Sequence, residues 1–353
     1  MKGRRPRPLD DGDSGRRRVS LIKGTTKLIK WENLRMVIIS NCTQSAITDA
    51  AKSLLSGNLV AFPTETVYGL GADASNESAV NKIYKAKGRP ADHPLIVHIS
   101  HINLLDMWAK DIPEYAIKLA RSFWPGPMTL ILPRTPLAKD FITGGQDNVG
   151  IRIPSQSLGL ALLSEFEKQG GFGVAAPSAN RFGAVSPTTA GAVEAELADY
   201  LSSDDQILDG GACDVGVEST IIDCTGSFPT ILRPGAITAQ MIFAATDLEP
   251  ATTNNLAIKA SGLLESHYSP LAKVILDQRP ERGDGFIALS NIKTPEGVIR
   301  LASPKNNEEY AKVLYQALRN ADSQQIKTVH AHLPAGSDIA VAIRDRLTKS
   351  ANK

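Results

Sequence analysis

Short apolar runs that alternate with amphipathic helical patterns most constrain the fold of this chain. A helical pattern begins after Thr43, which can cap it, and ends before Gly57, which can take the left-handed conformation. A second helix is predicted at 77–87, between apolar runs at 59–62 and 95–99. Further strands are predicted at 128–132, 149–153, 174–176, 220–223 and 230–233. Many short strands among few helices are typical of an α+β domain with a twisted, mixed sheet.

The C-terminal part of the chain has a more regular alternation of strands and helices. Strands are predicted at 274–276, 286–290, 298–302 and 328–333, with helices around 310–318 and 339–347. This pattern indicates a small α/β unit with a parallel, Rossmann-like sheet. The unit has no glycine-rich phosphate-binding motif, so we expect no second nucleotide site there.

Composition divides the chain into four predicted segments. Residues 1–35 contain 11 lysines and arginines against 4 acids, and we expect them to form a disordered basic extension. The mixed-sheet domain follows at 36–245, then an interdomain linker at 246–270 and the small α/β unit at 271–353. The extension is either a basic arm that contacts RNA nonspecifically or a segment that precedes a natural start at Met36.

Cysteine usage and hydropathy bear on the compartment. The three cysteines, Cys42, Cys213 and Cys224, are odd in number and unclustered, which argues against a disulfide framework or a structural metal site. No apolar run approaches the roughly 20 residues that a membrane-spanning helix needs, and the N-terminus lacks the apolar core of a secretory signal. We therefore expect a cytoplasmic protein with no membrane partner.

The stretch at 62–71, which reads FPTETVYGLG, is rich in hydroxyls and glycines, and two cations follow it one helix later. Lys87 lies in the last turn of the helix that follows, and Arg89 lies just beyond Gly88. Both side chains can therefore project into one cleft. An ammonium and a planar guanidinium suit phosphate and carboxylate oxygens. The pattern predicts a site for an anionic nucleotide and a small polar substrate, although a Lys-x-Arg triplet by itself is common on solvated surfaces.

Strand ends further along the chain carry more polar groups. Ser178 and Asn180 follow the strand at 174–176, and Arg152 and Arg233 lie at the boundaries of two others. Ligands collect at strand ends in such sheets, but Ser and Asn also suit a simple turn. Alternation places His98 on the face opposite its two neighbours, where a lone histidine is usually structural.

Several familiar catalytic signatures are missing from the sequence. We find no nucleophile elbow, no His-Glu-x-x-His, no full Walker loop and no dinucleotide fingerprint. A site without an obvious base or nucleophile is suited to catalysis by positioning and charge neutralisation, which nucleotidyl transfer permits.

The motifs of residues 40–240 closely resemble those of the threonylcarbamoyl-AMP synthases of the longer Sua5 type. The matching stretches are 63–71 (PTETVYGLG), 87–90 (KGRP), 94–98 (PLIVH), 124–127 (WPGP), 177–180 (PSAN), 216–220 (GVEST) and 233–235 (RPG). The His267-Tyr268-Ser269-Pro270 stretch is similar to the end of the family's linker, and the last α/β unit resembles the Sua5 domain. The first domain then resembles the YrdC-like catalytic domain.

The resemblance implies an enzyme that converts L-threonine, bicarbonate or CO2, and ATP into threonylcarbamoyl-AMP and pyrophosphate. The product would be the donor for N6-threonylcarbamoyladenosine at position 37 of tRNA, and a Kae1/TsaD-type tRNA threonylcarbamoyltransferase would be the partner that uses it. Mg2+ is expected with ATP, no organic cofactor is expected, and no residue is assigned to a metal.

The resemblance also implies the roles of individual residues. Lys87 and Arg89 are the expected catalytic residues. The expected ATP-binding residues are Lys87, Arg89, His93, Asn148, Ser178, Asn180, Ser186, Arg233 and Tyr268. The expected threonine-binding residues are Thr64, Thr66, His98, Arg152, Ala176 and Ser219. The linker around Tyr268 is expected to act as a lid that excludes water.

Two features depart from the family pattern, and two other functions remain open. The stretch at 261–266 (SGLLES) lacks the usual basic residue before the His-Tyr pair, and the last unit is short for the type. A related carbamoyl-adenylate-forming enzyme is one alternative, although its usual additional domains are not visible. A noncatalytic RNA-binding protein is the other, weakened by an aromatic content of only 5% and an acidic body.

Overall fold

The computed structural model describes residues 38–41, 43–252, 258, 262 and 268–352. The predictions on the 1–35 extension, Met36, Cys42 and His267 concern residues outside this set, as does most of the 253–267 part of the predicted linker. Within the described residues, every helix is too short or too polar to cross a membrane.

A large mixed sheet forms the first part of the described chain. Its strand order is β1-β8-β2-β3-β7-β4-β6-β5-β9-β10-β11. The strands are β1 (Ile38–Asn41), β2 (Val60–Phe62), β3 (Gly69–Asp73), β4 (Ile96–His98), β5 (Met128–Pro133), β6 (Asn148–Arg152), β7 (Val174–Ala175), β8 (Gln206–Asp209), β9 (Thr220–Asp223), β10 (Thr230–Arg233) and β11 (Ala251–Thr252). Because β2 and β3 are antiparallel whereas β4 and β6 are parallel, the mixed-sheet prediction is confirmed.

Helices cover both faces of this sheet. They are α1 (Gln44–Leu55), α2 (Glu77–Lys87), α3 (Leu105–Trp108), α4 (Glu114–Phe123), α5 (Asp140–Thr143), α6 (Ser157–Lys168), α7 (Ala190–Leu197) and α8 (Ala239–Thr246). Helix α1 begins as predicted, because the Thr43 side chain accepts a hydrogen bond from the Ala46 N–H. Asn76 caps α2 in the same way, and Gly88 ends it with a φ of 63°. The fixed ends of α2 determine where the residues after it enter the sheet.

Strand β3 begins at the end of the 62–71 stretch, where no strand was predicted. This strand, of sequence GLGAD, is buried throughout and lacks a polar-apolar alternation that would indicate a strand. A Cβ at Gly71 would lie 2.8 Å from Val174 Cγ1 and 2.9 Å from Phe62 Cε1. Glycine is therefore needed for close packing between neighbouring strands. The helices α6, α7 and α8 and the strand β8 were also not predicted, whereas Arg152 lies at the boundary of a strand as expected, as the last residue of β6.

A smaller parallel sheet forms the C-terminal part, in the order β12-β15-β13-β14. Its elements are β12 (Lys273–Leu276), β13 (Gly285–Ile287), β14 (Ile299–Ala302), β15 (Thr328–Ala331), α9 (Asn307–Ser323) and α10 (Ala340–Ala351). The predicted α/β architecture with parallel strands is confirmed. The exact domain boundaries stay a prediction.

One hydrophobic cluster joins the two parts. Val185 and Val217 of the first part pack in the same cluster as Tyr310, Leu314 and Tyr315 of α9. The second unit is therefore packed directly behind the 216–220 segment, which precedes β9.

Helix α6 carries a glycine whose replacement we expect to be costly. A Cβ at Gly159 would lie 2.3 Å from the carbonyl oxygen of Pro63, a backbone atom that cannot rotate away. We expect Gly159→Ala to destabilise the protein by about 1–3 kcal/mol, because the 63–68 loop must shift.

Gly191 provides a matched control, since it also lies in the first turn of a helix and a Cβ there would meet nothing within 4 Å. We expect Gly191→Ala to be neutral or to stabilise by up to about 1 kcal/mol. The two free energies of unfolding, measured with urea, should differ in sign or clearly in size. Equal values would show that the close approach to Pro63 imposes no constraint.

Candidate functional site

A cavity lies at the ends of several strands of the large sheet, and the linker residues Gly262 and Tyr268 also line it. Its lining includes twelve of the residues predicted from the sequence: Thr64, Thr66, Lys87, Arg89, His98, Arg152, Ala176, Ser178, Asn180, Ser219, Arg233 and Tyr268. The cavity volume is about 50 Å³, which is room for a few water molecules. This space is smaller than a nucleotide.

Lys87 and Arg89 point into this cavity together, as their positions around Gly88 predict. Lys87 is 2% exposed, and its Nζ donates to the carbonyl of Ser178 at 2.6 Å and also to that of Asn180. Arg89 donates from a terminal nitrogen to the Pro94 carbonyl at 3.0 Å. Burial, and then the neighbouring Arg89, lower the pKa of Lys87 well below its usual value. An anion bound between these two side chains would favour the charged form of each.

The turn at 177–180 presents backbone and side-chain oxygens to the cavity. Strand β3 anchors it, because Leu70 N donates to the Pro177 carbonyl at 2.8 Å. The Asn180 amide nitrogen donates to two carbonyls, those of Arg181 at 2.7 Å and Ala184 at 2.8 Å. Its Oδ1 is buried, with no hydrogen-bond partner among the described residues. The turn is therefore more than a local Asx structure, because a buried acceptor is left for a ligand.

The 64–66 segment and Arg152 form a second polar group at the cavity. Arg152 donates to Thr66 Oγ1 at 2.9 Å and to Glu65 Oε1 at 2.6 Å. Glu65 Oε2 accepts from the Ser155 N–H at 2.9 Å, and Thr64 Oγ1 lies 2.8 Å from Thr66 Oγ1. These side chains are almost completely buried. They offer hydroxyls and a guanidinium edge to a small polar molecule.

His98 and Ser219 extend this polar group. His98 Nδ1 lies 3.2 Å from the Ile96 carbonyl, which fixes the orientation of the ring. Burial, reinforced by Arg152, lowers the pKa of His98 to about 3, so the imidazole is neutral at pH 7. Ser219 Oγ lies 2.8 Å from Thr129 Oγ1. A neutral imidazole can accept a hydrogen bond from an amine, and Ser219 can donate to a carboxylate.

Arg233 and Glu218 close the side of the cavity nearest to the second unit. Arg233 donates to the Ser219 carbonyl at 3.1 and 2.9 Å and to Ser219 Oγ at 3.1 Å. Burial raises the pKa of Glu218, but Arg346, Arg233 and a hydrogen bond from Ser186 outweigh burial and hold it at about 2. Glu218 is thus ionised. Glu218 belongs to the 216–220 motif but was not predicted as a site residue, and its partner Arg346 is far away in the chain.

Two described residues of the predicted linker, Gly262 and Tyr268, line the cavity. A Cβ at Gly262 would lie 2.3 Å from the Tyr268 hydroxyl and 3.0 Å from a terminal nitrogen of Arg233. Tyr268 is 1% exposed and has a positive φ of 59°. Phe182 also lines the cavity, below Arg89, whose guanidinium carbon lies 5.8 Å from the ring centroid. Neither Gly262 nor Phe182 was predicted, since no local pattern marks them.

Three predicted ATP-binding residues lie outside the cavity lining. Ser186 lies behind the wall and donates to Glu218 Oε1 at 2.6 Å. His93 packs edge-on against Phe182, with ring centroids 5.3 Å apart, at the margin of the cavity. Asn148 begins β6 and lines a separate surface groove with Arg134 and Lys139. Their roles in binding stay predictions.

The donor atoms of the cavity suit an anion better than a bare metal ion. Glu218 is the single carboxylate among the described lining residues, and Arg346 already pairs with it. In the part of the chain that the structure describes, no group of three His, Cys, Asp or Glu side chains could hold a metal. Asn180 Oδ1 remains as an oxygen donor for an ion that arrives with an anionic ligand.

The chain is similar to known families and solved structures along most of its length. The family model described as "Telomere recombination" (Sua5, YciO, YrdC) matches residues 52–235, and that described as "Threonylcarbamoyl-AMP synthase, C-terminal domain" matches 237–352. Threonylcarbamoyl-AMP synthase of Pyrococcus abyssi is 39% identical over 85% of this chain and 92% of its own length. That of Bacillus subtilis is 39% identical over 86% and 92%. The crystal structure of P. abyssi Sua5 complexed with L-threonine has a TM-score of 0.81 and 36% identity, covering 89% of this chain and 98% of that chain.

Proposed function

This chain belongs to the threonylcarbamoyl-AMP synthase family, and on that premise we propose how its cavity carries out the reaction. The chain is an enzyme that forms an adenylate. The proposed substrates are L-threonine, bicarbonate or CO2, and ATP, and the products are threonylcarbamoyl-AMP and pyrophosphate. The observation that carries this proposal is one cavity lined by four buried cations, Lys87, Arg89, Arg152 and Arg233. Among the described lining residues, Glu218 is the one carboxylate, and Arg346 already neutralises it.

Three of the lining cations form the proposed site of the ATP phosphates. Lys87, Arg89 and Arg233 would neutralise the triphosphate and the charge that develops on the pyrophosphate leaving group. The Ser178 hydroxyl would donate to a phosphate oxygen, and the buried Asn180 Oδ1, which can only accept, would bind an ion held by the phosphates. We propose that Mg2+ enters as part of the MgATP complex, where it would screen the phosphate oxygens.

The polar group around Arg152 is the proposed site of threonine. Arg152 and Ser219 would hold the carboxylate, and the hydroxyls of Thr64 and Thr66 would bind the polar side chain. Ala176 would pack against the substrate. Neutral His98 would accept a hydrogen bond from the amine of threonine. This contact would keep the lone pair of the amine nitrogen directed at the carbon of CO2.

The proposed reaction has two bond-forming steps. The neutral amine of threonine attacks the carbon of CO2 and releases a proton to the solvent, which gives a carbamate. A carbamate oxygen then attacks the α-phosphorus of ATP, and the bond to the β,γ-pyrophosphate breaks. The carbamate decomposes in water, so enclosure by the residues around Tyr268 would extend its life between the two steps.

The product would pass to a Kae1/TsaD-type tRNA threonylcarbamoyltransferase, and the proposed compartment is the cytoplasm. These proposals rest on the family's chemistry, because the product is an activated donor that needs an acceptor enzyme. The proposed weak contact with RNA falls on residues 1–35, outside the described residues.

Pyrophosphate release by the purified protein tests the proposed reaction. With MgATP, we expect release only when both L-threonine and bicarbonate are present, and radiolabelled bicarbonate should appear in an adenylate. Replacing both by carbamoyl phosphate tests the related carbamoyl-adenylate-forming activity. Release with carbamoyl phosphate but not with threonine would overturn the proposal, and tight RNA binding without any release would favour the noncatalytic alternative.

A further inference from the structure

One buried arginine of the second unit contacts both segments that carry the polar residues on one side of the cavity. Arg346, on α10, is completely buried. Its Nε donates to Glu218 Oε2 at 2.8 Å, and one terminal nitrogen donates to the Pro234 carbonyl at 3.0 Å. Glu218 immediately precedes Ser219, and Pro234 immediately follows Arg233. The guanidinium therefore fixes the spacing of these two segments.

Helix α9 completes the same contact. The Tyr315 hydroxyl donates to Glu218 Oε2 at 2.8 Å, so the Glu218 carboxylate accepts from Ser186, Tyr315 and Arg346. The Tyr315 ring stacks on Tyr268, with centroids 5.7 Å apart and planes at 24°. The Arg346 guanidinium lies 5.3 Å from the centroid of the Tyr268 ring. The second unit thus surrounds Glu218 with donors on a side that the first domain leaves open.

The charge of Glu218 makes this arrangement matter for the reaction. The cavity is proposed to bind a triphosphate, and an uncompensated carboxylate on its wall would repel that ligand. Arg346 supplies the compensating charge from behind the wall, without occupying the cavity lining. Asp345 also contacts Arg346, at 2.5 Å, and Arg233 adds a further positive charge near Glu218.

We infer that Arg346, with Tyr315, is a positioning residue of the synthase cavity: it neutralises Glu218 and fixes the 218–219 and 233–234 segments, although it belongs to the second unit. This inference rests on the proposed function of the cavity. It gives the C-terminal unit a defined part in substrate binding and turnover.

Two tyrosines of α9 provide a matched test. Tyr310 and Tyr315 are both completely buried, and each donates a hydrogen bond from its hydroxyl, Tyr310 to the His332 carbonyl at 3.0 Å and Tyr315 to Glu218. Tyr315→Phe and Tyr310→Phe therefore remove the same chemical group from the same helix. We expect Tyr315→Phe to lower kcat/KM for threonine and ATP about tenfold, because a hydrogen bond to a charged group is lost. Tyr310→Phe should stay within about twofold of the parent at a similar Tm change.

A double-variant comparison separates charge neutralisation from packing. We expect Arg346→Met to lower kcat/KM about 100-fold, because it leaves a buried carboxylate without its partner. In a Glu218→Gln background the same change should cost less than about threefold, since residue 218 then carries no charge and Lys349 remains to pair with Asp345. Equal losses in both backgrounds, or equal losses for the two tyrosine variants, would overturn the inference.

The test remains decisive if the proposed function fails. Absence of threonine-dependent release by the parent protein would overturn the proposed reaction alone. The affinity of the same variants for MgATP, measured by calorimetry, would then report on the inference. A weaker affinity for Tyr315→Phe than for Tyr310→Phe supports it, and equal affinities contradict it. Because Tyr315→Phe changes one hydroxyl, the test does not depend on whether Arg346→Met folds.

Discussion

Replacing Lys87 by methionine is expected to lower kcat of pyrophosphate release by about 100- to 1,000-fold, the usual effect of removing one preorganised charge from an active site. Lys87 is proposed to neutralise phosphate oxygens, and its Nζ also holds the carbonyls of Ser178 and Asn180 in the strand-end turn. Methionine has a similar length and fits a buried position, so the packing of α2 should survive. Steady-state release with threonine and bicarbonate measures the effect.

Lys85→Met is the control for this change. Lys85 lies on the same helix, two residues earlier, but its side chain is exposed and lines a different surface groove. Its replacement should leave kcat within about twofold, as expected for a surface substitution. A loss of the same size at both positions would show that net charge matters and that the cavity does not.

Arg152→Met should have the largest effect on stability. It would leave the Glu65 carboxylate buried and without the partner that now lies 2.6 Å away, with both side chains only about 5–6% exposed. Breaking a buried ion pair from one side costs about 3–5 kcal/mol. We also expect the threonine KM to rise, because Arg152 is the proposed carboxylate contact. Urea unfolding measures the first effect and threonine titration the second.

A surface pair gives the comparison for Arg152. Lys118 lies 3.7 Å from Glu114, one turn earlier on α4, and the two side chains are 49% and 88% exposed. Lys118→Met should cost about 0–0.5 kcal/mol, because solvent already screens both charges. A similarly small loss for Arg152→Met would mean that Glu65 regains water or another donor when the guanidinium is removed. Its present contact with Ser155 N–H would then be enough to hold it.

The sequence predicted best those parts of the site that local rules determine. Helix α2 begins and ends at the predicted residues, because Asn76 caps it and Gly88 ends it. Those two ends place Lys87 and Arg89 beside the strand-end turn, so the prediction of one common cleft is confirmed. The resemblance raised His98 from a structural histidine to a substrate contact, and the structure places it on the cavity wall.

The parts that were not predicted depend on contacts between distant segments. Strand β3 lacks alternation because it is buried throughout, and Gly71 is required by the close approach of Val174, which is far away in the chain. The pairing of Glu218 with Arg346 joins residues 128 positions apart, and each residue alone resembles an ordinary surface charge. No periodic pattern records such a pair.

The Glu218–Arg346 contact also bears on how the molecule unfolds. If the second unit detached, the Glu218 carboxylate on the first domain and the Arg346 guanidinium on the second unit would each lose the other as its partner. The hydrophobic cluster that Val217 and Tyr315 share would also be opened. Partial unfolding is therefore penalised at the interface itself. The two sheets differ in topology, yet they should melt as one cooperative unit, with equal calorimetric and van't Hoff enthalpies. The thermodynamic domain of this protein is then larger than either of its structural domains.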